Sequence, residues 1–320
     1  MSLDYLIIGA GPAGLSCAVE AHKKGSEYLV IDKGCIVNSI FNFPADMLFF
    51  STPELLTIGE LVFVTQNFRP TRMEVLKYYL AVAEHYDLDI NTFENVDEIN
   101  KNGQGFKVKT SKQSGGENAY EAKNVVVATG YYDWPNMLGI EGEDLPKVSH
   151  YYGEAHAYHG KDVAIIGAKN SAVEAAITFQ RSGAKVTIIH RGEGISDSVK
   201  YWVRPDIEKR LETGDIKALF DSEVVKIHPD HLDIKNNITG EVTELENDFL
   251  FALTGYRPDE KLLKGCGVTV DSKTIAPEHN PDTMETNVPG LYVAGSIASG
   301  VNNNKIFIEN SREHGKVIVG

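Results

Sequence analysis

The stretch Tyr5-Leu6-Ile7-Ile8-Gly9-Ala10-Gly11-Pro12-Ala13-Gly14 limits what this chain can fold into more than any other. An apolar run feeds G-x-G-x-x-G and an apolar helical pattern follows, so strand, tight turn and helix succeed one another. Gly9 permits the turn, Gly11 lets backbone approach a pyrophosphate, and Gly14 lets helix pack on strand. Pro12 suits a first helical turn, where its missing N–H is not needed. The helix start offers free N–H groups and a partial positive charge to phosphate. The next strand, Tyr28-Leu29-Val30-Ile31, ends at Asp32, placed to accept hydrogen bonds from an adenosine ribose. With strand, helix and acid in register, the stretch reads as a dinucleotide site rather than a glycine-rich core turn.

The same grammar returns at Val163-Ala164-Ile165-Ile166-Gly167-Ala168-Lys169-Asn170-Ser171-Ala172. From Gly167 to His190 is 23 residues, as from Gly9 to Asp32. Lys169 replaces the middle glycine, which makes backbone approach to phosphate there less open. The strand ends also differ. Asp32 suits the unphosphorylated ribose of FAD or NAD, whereas His190-Arg191 holds no acid, and an arginine suits a 2′-phosphate. The first unit thus fits FAD and the second NADPH, with Lys200 the next candidate for reading the phosphate.

Between and around these units the chain is expected to run as follows. Asn38 to Phe50 is an aromatic ordered loop that could lie along a cofactor. Thr71 and Glu74 have capping-box spacing before an amphipathic helix. Residues 89–93, 106–110 and 120–122 form a small antiparallel meander, and 223–227, 232–235 and 241–245 another. Val125 to Gly130 is a buried strand ending in Thr129-Gly130, and a helical run starts near Ile306. The expected organisation is α/β, with two Rossmann-like dinucleotide-binding domains. A first part of the FAD domain spans 1–135, an NADPH domain is inserted at 145–247, and the FAD domain resumes over 250–320.

Composition closes other routes. The 31 basic and 45 acidic residues give a net charge of −14, which argues against nucleic acid as a general partner. No apolar run is long enough to span a bilayer, so no membrane partner is expected. The first strand begins almost at Met1, leaving no room for a secretory signal, and the odd trio Cys17, Cys35 and Cys266 contains no C-x-x-C. A reducing cytoplasm is the expected location. No metal site is expected, and no catalytic side chain is assigned. Cys17 reads as a packed core residue, and His150, His156 and His159 as solvated loop histidines rather than proton donors.

Together with the two nucleotide folds, the T-G-Y-x-P turn and the A-G-x tail, these features resemble the two-domain flavoprotein disulfide reductases, in particular the low-molecular-weight thioredoxin reductases. Those carry a C-x-x-C before the NADPH loop; here Val148 to His156 holds no cysteine, so the usual dithiol relay to thioredoxin is excluded. The finer resemblance is to the bacillithiol-disulfide reductase family. It rests on Ser39-Ile40-Phe41-Asn42-Phe43-Pro44, Phe49-Phe50-Ser51, Ala128-Thr129-Gly130-Tyr131-Tyr132, the Lys169 loop and Ile306-Phe307-Ile308-Glu309-Asn310. It implies FAD contacts from Gly9, Gly11, Pro12, Ala13, Gly14, Asp32 and Lys33. Phe50, Ser51, Thr129, Gly130, Gly295, Ser296 and Ile306 would complete that site. It implies NADPH contacts from Ala168, Lys169, Asn170, Ser171, Ala172, His190 and Arg191.

Two departures stand out: Ala13 where that family is described with cysteine, and Ser296 where related reductases commonly hold aspartate. The expected activity is hydride transfer from NADPH to FAD, then electrons to a small disulfide or a small redox protein, in a homo-oligomer. The alternatives are a thioredoxin-reductase-like ferredoxin–NADP⁺ reductase and a redox-sensing flavoprotein without turnover. A flavin monooxygenase is a weaker rival, because Tyr151-Tyr152-Gly153-Glu154-Ala155-His156 misses the F-x-G-x-x-x-H fingerprint by one residue and one side chain.

Overall fold

A computed structural model describes residues 2–302 and 305–320 of the chain. It divides into two compact units, Met1–Trp134 with Tyr256–Gly320, and Pro135–Gly255. In chain order the first segment holds β1 (Leu3–Ile8), α1 (Pro12–Lys23), β2 (Tyr28–Ile31), α2 (Asn38–Phe41), α3 (Pro53–Leu56) and α4 (Arg72–His85). The strands β3 (Ile90–Asn91), β4 (Glu94–Asn102), β5 (Gly105–Lys112) and β6 (Glu117–Val127) complete it.

The second unit contains β7 (Val148–Ser149), β8 (Asp162–Ile166), α5 (Asn170–Arg181), β9 (Lys185–Ile189), α6 (Arg204–Thr213) and β10 (Ile216–Leu219). It goes on through β11 (Ser222–Ile227), β12 (His231–Asn236), β13 (Val242–Glu246) and β14 (Phe249–Ala252). The chain then returns to the first unit with α7 (Glu260–Gly265), β15 (Leu291–Val293), α8 (Ile308–Ser311) and α9 (His314–Ile318).

In the first unit the sheet order is β3-β2-β1-β6-β5-β4, with β15 also on β6. The strands β3, β2, β1, β6 and β15 pair in parallel, whereas β4 and β5 join antiparallel. Leu6, Ile7, Val30, Ile31, Val125 and Leu291 are fully buried, as strands covered on both faces require. Helix α1 buries Leu15, Cys17, Ala18, Val19 and Ala21, so its sequence is apolar beyond a single stripe. Both bonds of the expected capping box form at the start of α4. Thr71 Oγ1 accepts from Glu74 N at 3.3 Å, and Glu74 Oε2 accepts from Thr71 N at 2.8 Å. Such a cap contributes about 1 kcal/mol.

In the second unit a five-stranded sheet runs β10-β9-β8-β14-β7, all parallel, and a three-stranded sheet runs β11-β12-β13. Phe179 of α5 packs on Tyr152, Tyr158 and Phe251, with ring centroids 4.6–5.4 Å apart. Tyr152, singled out in the near-miss monooxygenase pattern, thus helps to build a core. Truncating a buried aromatic of this kind typically costs about 3–5 kcal/mol.

Five expectations change. Residues 89–93 do not join a meander: Ile90 and Asn91 extend the parallel sheet beside β2, and the meander is β4-β5-β6. The pieces at 120–122 and 125–127 are one long strand, because β6 pairs antiparallel with β5 at one end and parallel with β1 at the other; it stops at Val127, short of Thr129-Gly130. The first unit does not resume at 250, since β14 lies between β8 and β7 in the second unit's sheet. The aromatic loop opens with the short helix α2, and the terminal helical run starts at Ile308 and is split into α8 and α9. The second meander forms as expected.

Candidate functional site

In the first unit, β1 and β6 are neighbours; the chain leaves β1 through α1 for β2 on one side, while β15 adds to β6 on the other, so the strand order diverges between them. Crevices at such switch points bind ligands outside the carboxyl ends of parallel strands. Gly9 follows β1 with φ +108°, and a Cβ there would stand 2.5 Å from Ala128 O. Its N–H donates to Ile31 O at 2.7 Å, Ala128 N donates to Ile8 O at 2.7 Å, and Ala294 N donates to Val127 O at 2.9 Å. These bonds gather the glycine loop, Thr129-Gly130 and Gly295-Ser296 at one end of the sheet. A Cβ on Gly14 would stand 1.9 Å from Gly9 O, which is why the helix can sit so close to the turn.

Gly11 is different: nothing lies within 4 Å of where its Cβ would be. Its φ of −74° and ψ of 176° are open to any residue. The helix it caps has no side-chain cap, leaving the first N–H groups to a ligand. This empty cradle over an uncapped helix fits a pyrophosphate.

Asp32 accepts from Ala10 N at 2.7 Å and Gly34 N at 2.8 Å, so one carboxylate fixes the glycine loop and the following turn. Burial pushes its carboxyl above the ordinary range, against the pull of those two N–H groups. Lys33 pairs with Asp133 at 2.9 Å. A Cβ on Gly295 would be 2.9 Å from Ala13 Cβ, and one on Gly130 3.6 Å from Ser296 Oγ. Ser51 Oγ donates to Glu309 Oε1, tying the loop beyond Phe50 to α8, and Ile306 packs on the main core.

One supporting residue had no sequence signal. His314 Nδ1 accepts from Gly295 N at 3.2 Å. Burial, then the neighbouring His279, hold the His314 imidazole down at about 4. It is therefore a neutral acceptor behind the Gly295 turn. A histidine far along the chain, in no motif, gives no hint of that contact.

In the second unit, β8 lies between β9 and β14. Gly167 has φ +129°, its Cβ would be 2.7 Å from Leu253 O, and its N–H donates to Ile189 O at 3.1 Å. Lys169, with φ −94° and ψ −177°, is extended and exposed at the start of α5, again with no side-chain cap. Asn170 ties down the neighbouring loop: its Nδ2 donates to Ser198 O at 3.1 Å and its Oδ1 accepts from Lys200 N at 3.0 Å. Ala168 O accepts from Ser196 N at 3.1 Å. Ser171 is exposed and Ala172 buried.

At the end of β9, burial and then the Arg191 charge hold the His190 imidazole below its ordinary range, with Lys169 adding in the same direction. Arg191 is exposed and, among the described residues, has no hydrogen-bond or ion-pair partner. The Arg191 and Lys169 charges thus both reach the His190 ring at the end of β9. Glu174, one turn into α5, was not foreseen; burial pushes its carboxyl up to about 7, with Lys200 pulling the other way.

The three histidines singled out in the sequence lie in this unit, ahead of the Gly167 turn. His150 is only 11% exposed, beside Glu143 Oε1 at 3.2 Å and Ala252 O at 3.2 Å, which corrects the solvated reading for that residue. His159 Nδ1 meets Ser182 O at 2.8 Å. The cysteines are free thiols, and Cys17 is fully buried with its thiol pushed up to about 12 by that burial. Burial also raises Cys35 and Cys266. None has the electropositive setting of an activated thiolate.

Paired nucleotide units with these turns define a two-dinucleotide oxidoreductase. The chain belongs to the pyridine nucleotide-disulphide oxidoreductase family, which matches residues 6–295. Within that family it is 44% identical to the bacilliredoxin reductase of Bacillus subtilis, over 97% of this chain and 94% of that one. The bacillithiol disulfide reductase of Bacillus cereus superposes with a TM-score of 0.97 at 44% identity, covering 100% of this chain and 98% of that one. The Staphylococcus aureus enzyme of the same description gives 0.94 at 40%, with 100% and 98% covered. Among the described residues no helix is long and apolar enough to cross a membrane.

Proposed function

We propose that this chain is a cytoplasmic, homo-oligomeric enzyme that oxidises NADPH and, through bound FAD, reduces a low-molecular-weight disulfide of the bacillithiol kind. The full-length likeness to the bacillithiol disulfide reductases carries the reading, and the two nucleotide turns support it. In balance, NADPH, a proton and the disulfide become NADP⁺ and two thiols. Bound FAD supplies the relay between a two-electron donor and a disulfide.

The first unit would hold the FAD: the gap over Gly11 and the α1 N-terminus take the pyrophosphate, and Asp32 takes the ribose while still bracing the loop. The neutral His314 keeps the Gly295-Ser296 turn in place. The second unit would hold NADPH, with Lys169 and the α5 N-terminus on its pyrophosphate and His190 with Arg191 on its 2′-phosphate. No cysteine is placed or activated as a dithiol relay, so protein thiols take no part in oxidising NADPH.

Anaerobic titration tests this. Protein as purified should release FAD on denaturation, NADPH should bleach the flavin, and bacillithiol disulfide should restore its colour. Protein without FAD overturns the cofactor assignment, and recovery only with ferredoxin overturns the acceptor. The name of the Bacillus subtilis relative favours a second acceptor, a small redox protein carrying a disulfide, so bacilliredoxin belongs in the same titration.

A further inference from the structure

The segment His228-Pro229-Asp230-His231-Leu232-Asp233 plays no part in either nucleotide turn. It is the tight connection between β11 and β12, closed by the His228 N–H donating to His231 O at 2.9 Å. Such a turn sets the two histidines side by side, and their rings stack with centroids 4.1 Å apart at 11°. Along β12, Leu232 and Ile234 are buried, so His231 and Asp233 share the opposite face. His228 Nε2 lies 3.0 Å from Asp233 Oδ2, and His231 Nε2 lies 3.8 Å from Asp233 Oδ1. One donor atom from each residue falls within 4.8 Å of the others, the one such group of three among the described residues.

We infer that His228, His231 and Asp233 form a binding site for a divalent transition cation, with Zn²⁺ the best match to two imidazoles and one carboxylate. Ligands sharing a zinc at bonds of about 2.0–2.2 Å sit roughly 3–4 Å apart, so the side chains need only small rotations to converge. The tautomer is already set. His231 Nδ1 lies 2.8 Å from Asp230 Oδ1, which accepts a hydrogen bond from that N–H and leaves Nε2 as a lone-pair donor toward the site. A carboxylate behind a ligating imidazole is the usual outer-shell support of such sites.

The charges around the site do not oppose it. Lys226, opposite Asp233 in the register, is drawn away by Glu141 at 2.9 Å. The Lys147 ammonium faces the His231 carbonyl at 3.4 Å and Asn247 Oδ1 at 2.7 Å. Glu246 and Glu244 stand opposite His231 and Asp233 on β13 and add negative charge. Three protein ligands leave a fourth position for water, and zinc adds no redox chemistry, so the site acts as a clasp on the hairpin.

The test is calorimetric titration of ZnCl₂ into the chelator-treated, FAD-loaded protein, with melting temperature as a second readout. Wild type should take up one Zn²⁺ per chain and melt higher with it. The His228→Gln/His231→Gln pair and the single Asp233→Asn should each bind at least about a hundredfold more weakly, with unchanged circular dichroism and NADPH-to-flavin reduction. Asp230→Asn should lose roughly tenfold, the low end of the usual outer-shell effect. Absence of saturable uptake by wild type overturns the site. So does equal affinity in Asp233→Asn and wild type, which would place the zinc elsewhere, and so does equal binding of Mg²⁺.

Discussion

The two glycine loops share their first residue's task and divide over the third. Gly9 and Gly167 both have strongly positive φ, both place the missing Cβ against the carbonyl of the neighbouring strand's extension, and both donate to the end of the second strand. The fold itself demands them. Gly11 and Lys169 adopt nearly the same extended backbone, so neither position requires glycine to fold. The fold thus sets no demand for glycine there, and one unit dispenses with it. The sixth position separates the units again: Gly14 has no room for a methyl group, whereas Ala172 carries one and is buried.

Gly14→Ala should give the largest effect. A methyl group 1.9 Å from Gly9 O has no rigid-body escape, because the contact is backbone to backbone. The first unit should fail to fold stably, read as loss of soluble yield or a melting temperature lowered by about 6–12 degrees or more. That is the consequence of roughly 3 kcal/mol or more on a domain of this size. The mirror change, Ala172→Gly, should cost only about 1 kcal/mol of helix propensity. Equal losses for both would erase the distinction between the loops.

Gly11→Val should come next and should leave the fold intact. Its Cβ meets nothing in the protein within 4 Å, yet it stands in the space assigned to the pyrophosphate. The variant should purify colourless with wild-type circular dichroism. Lys169→Gly should leave flavin content unchanged. A yellow Gly11→Val protein would sink the assignment of FAD to the first loop.

Arg191→Ala should have an intermediate effect. Hydrogen bonds to charged groups contribute roughly 1.5–3 kcal/mol, so kcat/KM for NADPH should fall about ten- to a hundredfold. NADH, which lacks the 2′-phosphate, should be nearly unaffected. Sharing of the phosphate with His190 would bring the loss toward the lower figure. Equal losses with both nucleotides would make Arg191 structural, and an unchanged ratio would move the phosphate to Lys200.

What the sequence disclosed follows from where the information sits. Both nucleotide turns, the ends of β2 and β9 and the Thr71 cap are local, within a span of residues whose spacing alone sets their geometry. The strand at 89–93 misled because its short alternating run suits an antiparallel edge, and only parallel pairing with β2 decides its place. The boundary at 250 misled because β14 runs on into Thr254-Gly255 much as β6 runs into Thr129-Gly130, so the likeness hid which sheet it joins. His314 and Glu174 were invisible for another reason. Their importance comes from burial and from partners distant in sequence or structure, which no motif encodes.

Those two residues give the smallest expected effects, and opposite ones in the two units. His314 is held at about 4 against an ordinary 6.5, so the folded first unit refuses a proton that the unfolded chain accepts. Its stability is full above pH 6.5 and declines as the pH falls toward 4. Glu174 is raised to about 7 against an ordinary 4.5, so the folded second unit keeps a proton that the unfolded chain releases. Its stability is full below pH 4.5 and declines as the pH rises through 7. Allowing for partial solvent screening, each effect should be on the order of 1–2 kcal/mol across its window. Calorimetric unfolding of flavin-stripped protein at pH 5 and pH 8 reads both. Glu174→Gln should stabilise at pH 8 and change little at pH 5. His314→Gln, which keeps an acceptor for Gly295 N, should lessen the acid loss while leaving pH 8 nearly unchanged. If both variants shift stability in the same direction with pH, the opposed burial of an imidazole in one unit and a carboxyl in the other is wrong.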